Sequence, residues 1–390
     1  MTSLSPQHAA GIARGVYSLF DQTVGQARMR GDLLGCEGMF TVEEDSRLSG
    51  RSGGLIVYKR LSGFGYIAEG EGQHQGEILV ATRGTVNAGG YDWLSNFNIG
   101  MQIGPGGHPV HAGFHEVWKS FAGDLAEFLR GRNPSVIHCV GHSLGGALAT
   151  LNADYFSNIR AGAVRLYTFG SPRTGALTFS RSLRRRLGAE NIHRVHHHAD
   201  PVPKIPLFPF LHVPADSSGY QLGNGQGGLI SVAAHSMAGS YIPGVGQDDW
   251  AGLEHRCRDE LNDARVQSWL DEVAAGSGII PFGARTLRMI GRALAWVMKK
   301  IGSVLIGTLG SVLTAGMTVL DQLAWLLSRG AELSIEVSNY VGTLIVAIFR
   351  FLGRTVVAGA SLTLSFVRWV LGLLYAGLSN MAGMALSLLV

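Results

Sequence analysis

Residues 136–150, Val-Ile-His-Cys-Val-Gly-His-Ser-Leu-Gly-Gly-Ala-Leu-Ala-Thr, constrain the fold of this chain more than any other stretch. A short apolar run rich in β-branched residues meets a G-x-S-x-G pentapeptide, and an alanine-rich helical pattern begins at once. A strand that turns this sharply into a helix needs glycine on both flanks, and the turn pushes the central hydroxyl clear of the sheet. With 55 glycines in the chain, a second G-x-S-x-G occurs at residues 50–54. There a polar stretch comes first and a strand-like run (residues 55–58) follows, the reverse of the required order, so Ser52 is read as a loop residue. Ser143 has the strand before it and the helix after it, and is read as a nucleophile.

A nucleophilic serine needs an imidazole to accept its proton and a carboxylate to fix the imidazole tautomer. On an α/β sheet with such an elbow, these partners follow in the order Ser, Asp or Glu, His. Asp200 is the best acid: it stands in His198-Ala199-Asp200-Pro201-Val202-Pro203, just past a strand-like run at 192–198, in a loop stiffened by two prolines. Asp216, in the loop 215–219, is the fallback. Chain order leaves His212, His235 and His255 as bases. His255 lies in a charged helical stretch and reads as a solvated surface group. His235 fits the order best, with His212 a competitor.

Several blocks in fixed order resemble a known family. They are Thr82-Arg83-Gly84-Thr85, Asp92-Trp93-Leu94-Ser95-Asn96, Val110-His111-Ala112-Gly113-Phe114 and the elbow at residues 141–149. Thr168-Phe169-Gly170-Ser171-Pro172-Arg173-Thr174-Gly175, Asp200-Pro201-Val202-Pro203 and His235-Ser236-Met237 follow. Over roughly residues 78–242 the chain is similar to the class 3, fungal-type lipases of the α/β-hydrolase superfamily. The resemblance implies a lipase sheet flanked by helices, the triad Ser143, Asp200 and His235, and an oxyanion hole formed by Thr85 and Leu144. The Leu144 N–H would stand at a helix N-terminus, where the backbone dipole favours an oxyanion. Leu211-His212-Val213-Pro214 departs from the family's frequent His-Val-Gly, which leaves the acyl groove open to a different shape.

The resemblance also implies a lid after Thr85, within residues 86–105. Trp93, Leu94 and Phe97 lie there between glycines, the composition of a flap that exchanges protein contacts for lipid contacts. Phe208 and Phe210, in the apolar loop after the acid, are expected to rim the acyl site. The chemistry requires no cofactor and none is expected. His193, His196, His197 and His198 crowd one strand without a zinc-ligand spacing, and no metal is expected there either.

Composition bounds the rest. The chain of 390 residues carries a formal net charge of +4, without the aromatic-interleaved basic pattern of a nucleic-acid binder. Cys36, Cys139 and Cys257 make no disulfide framework. The start reads as a helix from Ser5-Pro6 to Asp21, capped by Ser5 and lacking the pattern of a secretory signal peptide. Four parts are expected: an N-terminal helix packed on the core (1–30), the lipase domain (31–276), a basic linker or helix (277–300) and a hydrophobic helical tail (301–390).

From Ile301 onward the charged residues are only Asp321, Arg329, Glu332, Glu336, Arg350, Arg354 and Arg368. The uncharged runs 301–320 and 369–390 are long enough to cross a bilayer. Arg285, Arg288, Arg292, Lys299 and Lys300 precede them as a flank suited to anionic headgroups. The expectation is a membrane-seeking tail that holds a lipase or phospholipase A against its lipid substrate, either at a cytoplasmic face or after export through a specialised secretion system. An exported antibacterial effector would travel with a chaperone or immunity protein over the apolar tail. The alternative is a membrane-binding or pore-forming protein with a vestigial hydrolase core.

Overall fold

The structure, a computed structural model, describes residues 3–20, 35–42, 47–52, 60–84, 100–223, 230–256, 263–276, 280–305, 318–355 and 361–387. Its strands are Phe40–Thr41 (β1), Arg47–Ser52 (β2), Arg60–Gly70 (β3), Glu77–Thr82 (β4), Met101–Ile103 (β5), Pro109–His111 (β6), Val136–His142 (β7), Ala163–Phe169 (β8), Ile192–His197 (β9) and Tyr220–Leu222 (β10). Eight form one mixed sheet in the order β1-β3-β4-β7-β8-β9-β10, with β2 also paired to β3, while β5 and β6 make a separate hairpin. The strands from β4 to β10 in that path are parallel, and β3 joins them antiparallel. This is the α/β-hydrolase fold, a sheet flanked by helices.

Both β4 and β7 are buried along their whole length, which is why they read as continuous apolar runs without alternation. Alternate residues serve two cores. Ile78, Val80, Ile137 and Cys139 face one that contains the helix Leu144–Ile159; Leu79, Ala81 and Val140 face another that contains the N-terminal helix Pro6–Gly15.

Several local expectations change in the fold. Ser5 caps the first helix by accepting the His8 N–H, but the helix ends at Gly15 and tightens into a 3₁₀ turn, Val16–Phe20, rather than continuing to Asp21. Ser52 lies in strand β2, where it pairs with Arg60, so it is no loop residue: main-chain pairing to β3 makes a strand from a polar sequence. The run at 55–58 lies outside the described residues. Of the run 301–320, residues 306–317 lie outside the described residues. Its first residues belong to the helix Ala284–Leu305, and near its end the helix Val319–Leu333 starts at a capping box in which Thr318 and Asp321 satisfy each other's backbone N–H groups.

Helices Ile335–Phe351 and Leu364–Ser387 complete the C-terminal region. Arg368, the charge that breaks the last apolar stretch, pairs with Asp321. Among the described residues one helix, Leu364–Leu386, is long and apolar enough to cross a membrane, and 44% of its most apolar window is buried inside the protein. The C-terminal helices contribute Leu294, Leu327, Ile345 and Leu374 to the same core as the elbow helix. Leu294 is wholly buried, so Leu294→Ala is expected to lower the stability of the full chain by about 2–5 kcal/mol. Urea unfolding should show the main transition moving to lower denaturant. An unmoved main transition would mean that the C-terminal helices fold apart from the sheet.

Candidate active site

The turn from β7 to helix Leu144–Ile159 places Ser143 at φ 59°, ψ −134°, a left-handed backbone that costs a residue with a side chain about 1–3 kcal/mol. Its surroundings hold it there. Ser143 N–H donates to the Phe169 carbonyl of β8 at 3.0 Å, and its own carbonyl accepts from Gly146 N–H at 2.9 Å. Thr82, at the end of β4, donates its hydroxyl to the Gly145 carbonyl at 2.8 Å. The flanking glycines are steric requirements: a Cβ on Gly145 would lie 2.2 Å from the Thr82 carbonyl oxygen, and one on Gly141 would lie 2.2 Å from that of Gly145.

Ser143, Asp200 and His235 converge in this setting, all three with no exposed surface. His235 Nε2 is 2.9 Å from Ser143 Oγ, and His235 Nδ1 is 2.8 Å from Asp200 Oδ2. The same carboxylate oxygen accepts the Tyr241 hydroxyl at 2.6 Å, and Asp200 Oδ1 accepts Val202 N–H at 2.9 Å. Burial alone would raise the Asp200 carboxyl. The charge and hydrogen bond of His235, with Tyr241 and Val202, outweigh it and hold the acid below its ordinary value. An ionised carboxylate fixing an imidazole whose other nitrogen meets a serine hydroxyl is an arrangement for general-base activation of that hydroxyl.

Leu144 opens the elbow helix directly after Ser143, so its N–H is among the helix's N-terminal donors. Thr85, Trp93, Leu94 and Phe97 lie outside the described residues. The structure separates the other candidates from the serine. His212 Nε2 hydrogen-bonds the Pro203 carbonyl at 2.8 Å, exposed Asp216 pairs with Arg184 at 3.4 Å, and His255 is exposed on the helix Trp250–Arg256. Phe210 is fully buried, with its ring 5.0 Å from that of His111. Phe208 is half-buried and lines a cavity among basic groups.

One participant has no signal in the sequence. Tyr17, carried by the 3₁₀ turn, accepts Gly84 N–H at 3.0 Å and donates its hydroxyl to His142 Nδ1 at 2.9 Å. His142 Nε2–H in turn donates to the His235 carbonyl at 2.9 Å. Burial first, then the nearby His235, keeps His142 far below the ordinary histidine range, so this ring is neutral and the donors run in one direction. The relay links the end of β4, the elbow and the backbone of the base.

A second buried polar group sits at the other end of the sheet. Glu77 Oε2 accepts from His74 Nδ1 at 2.7 Å and His138 Nε2 at 2.9 Å, and these ligand-type atoms lie within 4.8 Å of one another. Burial pushes Glu77 up, but the two imidazoles outweigh it and lower its carboxyl; burial brings His138 down to about 4. These directions describe a neutral imidazole and a carboxylate saturated by hydrogen bonds. The donor set has the composition of a metal centre, and its geometry here is that of a hydrogen-bonded network tying β4 to β7.

Comparison with known proteins gives the following likenesses. Residues 79–210 match the family described as Lipase (class 3). Over 144 residues the chain is 38% identical to the "Secreted mono- and diacylglycerol lipase 1" of Fusarium solani, covering 35% of this chain and 42% of that protein. Over 109 residues it is 35% identical to the "Toxin TseL" of Vibrio cholerae, covering 27% of this chain and 16% of the toxin. The crystal structure of a mono- and diacylglycerol lipase from Aspergillus oryzae aligns with a TM-score of 0.42 at 22% identity, over 58% of this chain and 81% of that one. The matched segments span less than half of the first curated relatives, 42% and 46% of their lengths.

Two outcomes are expected of this geometry. Gly145→Ala drives a methyl group into the β4 backbone and should lower Tm sharply; a melting temperature within a degree or two of the parent would show that the elbow has room to move. Tyr241→Phe removes one donor from Asp200, whose folded-state pKa then rises towards the unfolded value near 3.9. A depressed acid stabilises the fold above its unfolded pKa and loses that contribution as pH falls through the folded value. Acid unfolding of Tyr241→Phe, followed by tryptophan fluorescence, should therefore begin at a higher pH than in the parent. An unchanged midpoint would mean that Tyr241 contributes nothing to holding the acid ionised.

Proposed function

We propose, from the class 3 lipase family to which residues 79–210 belong, that this chain is a serine carboxylic-ester hydrolase releasing fatty acids from membrane glycerolipids. The observation that carries the reading is the unbroken Ser143–His235–Asp200 hydrogen-bond chain at 2.9 and 2.8 Å. Ser143 Oγ attacks the ester carbonyl while His235 Nε2 takes its proton. The tetrahedral oxyanion is held by backbone N–H groups, Leu144 at the helix start and Thr85 as its counterpart. His235 then protonates the departing alcohol, leaving an acyl group on Ser143. Water, deprotonated by the same imidazole, releases the fatty acid and restores the serine.

The C-terminal helix supports action at a lipid surface. Leu364, Trp369 and Met384 are 43%, 48% and 53% exposed on the helix that, among the described residues, has the length and apolarity of a span. Tryptophan on such a helix favours the interface between headgroups and acyl chains. The likeness to a bacterial toxin supports a finer reading, in which the lipids attacked belong to another cell and an immunity protein protects the producer.

The test is fatty-acid release from phospholipid vesicles and from emulsified di- and triacylglycerol by the full-length chain and Ser143→Ala. The parent should release fatty acid, and the serine variant should lose at least about 10³-fold in rate. The preferred substrate names the lipid class. Equal rates in parent and variant, or release from none of the lipids, would overturn the reading.

A further inference from the structure

The basic segment ahead of the C-terminal helices makes none of the hydrogen bonds that join Ser143, His235 and Asp200, and the fold gives it a different setting. Helix Ala284–Leu305 faces the α/β domain across a cavity of about 690 Å³. Arg288, Arg292 and Lys299 line it from the helix, at spacings of four and seven that share one face; Arg173, Arg194 and Lys204 line it from the domain. Two acids also line it. Asp263 pairs with Lys299 at 2.9 Å, and Asp216 lies against Arg184 at 3.4 Å, so positive charge dominates the cavity walls.

Arg194 is 6% exposed; its Nη2 donates to the Ser217 and Ser218 carbonyls at 3.0 and 2.5 Å and its Nη1 lies 3.4 Å from His196 Nδ1, while its Nε has no hydrogen-bond partner among the described residues. Leaving a charged donor buried and unmatched is costly, and several like charges around one cavity add repulsion. Burial, followed by Arg173 and Arg288, brings Arg194 down to about 9. Burial brings Lys204 to about 8, with Arg288 and Arg173 adding to the shift against the pull of Asp200. A multivalent anion between the walls would relieve the repulsion and offer an acceptor to Arg194 Nε. Guanidinium forks match phosphate oxygens in pairs, and the cavity has the size of a small-molecule site rather than that of a single oxyanion.

We propose that this cavity binds a compact ligand bearing clustered phosphate groups, clamped between the α/β domain and helix Ala284–Leu305. The ligand is either a soluble polyphosphorylated molecule or the headgroup of a polyphosphorylated lipid. Its seat adjoins the triad from behind. Lys204 Nζ donates to the Asp200 carbonyl at 2.9 Å and to that of His198 at 2.6 Å, so one wall of the cavity is the loop that carries the acid.

The test uses the full-length chain with tripolyphosphate and inositol hexakisphosphate, followed by calorimetric titration and thermal melting at fixed salt. Saturable binding and a rise in Tm are expected. Arg288→Gln with Arg292→Gln removes cations from one wall and Arg194→Gln from the other. Each change should weaken binding at least about tenfold and abolish the rise in Tm, while exposed Arg285→Gln leaves both intact. Without ligand, the doubly substituted helix should melt no lower than the parent, because its substitutions relieve repulsion; this separates lost binding from lost folding. Sedimentation with phosphatidylcholine vesicles containing phosphatidylinositol bisphosphate, competed by inositol hexakisphosphate, assigns the ligand to a lipid headgroup. Binding of the soluble phosphates without sedimentation assigns it to a free molecule. No saturable binding by the parent, or equal binding by both cavity variants, would overturn the proposal.

Discussion

The backbone of Ser143, held at φ 59° between β7 and its helix, sets the terms for the rest of the molecule. A residue with a side chain adopts that conformation only where neighbours over-determine it. Here they do: β8 takes the Ser143 N–H through the Phe169 carbonyl, β4 takes hold of Gly145 through the Thr82 hydroxyl, and glycine at 141 and 145 lets three backbones close to contact. The parallel register of β4, β7 and β8 brings those groups to one end of the sheet. The same end receives the loop after β9 that carries Asp200, and so the sheet order itself assembles the serine and its acid.

Around the triad, hydrogen bonds rather than apolar packing decide orientation. Asp200 is wholly buried and yet held below its ordinary pKa, because His235, Tyr241 and Val202 together outweigh desolvation. His142 is equally buried but neutral, which lets it accept a hydrogen bond from the Tyr17 hydroxyl on one nitrogen and donate one from the other to the His235 carbonyl. Two histidines with rings 4.6 Å apart thereby serve opposite purposes: one meets the serine, and the other fixes the backbone of the first. The N-terminal turn is part of this arrangement, since Tyr17 also takes the Gly84 N–H at the end of β4.

Much of this was legible in the residues because it rests on local chemistry. The elbow is readable because strand, glycine-flanked serine and helix must be contiguous. Asp200 and His235 are readable because chain order and the family resemblance agree, and the fold places both within hydrogen-bond reach of one another and of Ser143. What escaped depends on distant contacts. Tyr17 lies 125 residues from His142 in sequence, and nothing in its own neighbourhood marks it as a hydrogen-bond hub. The burial of Phe210 depends on His111 and the surrounding core, which its own apolar loop does not show. In the apolar run at 301–320, hydropathy gives no sign that the Thr318 side chain starts a helix. The basic flank after residue 284 was visible, but only the fold shows that it faces Arg173, Arg194 and Lys204.

The central claim is that Ser143 is an activated nucleophile, and covalent trapping tests it most directly. The full-length chain is exposed to a p-nitrophenyl alkylphosphonate, and the modified residue is located by intact mass and peptide mapping. The account predicts one phosphonyl group per chain, on Ser143, with labelling abolished in His235→Ala while that variant remains folded. Stable protein that resists the reagent, or labelling at a different serine, would contradict it.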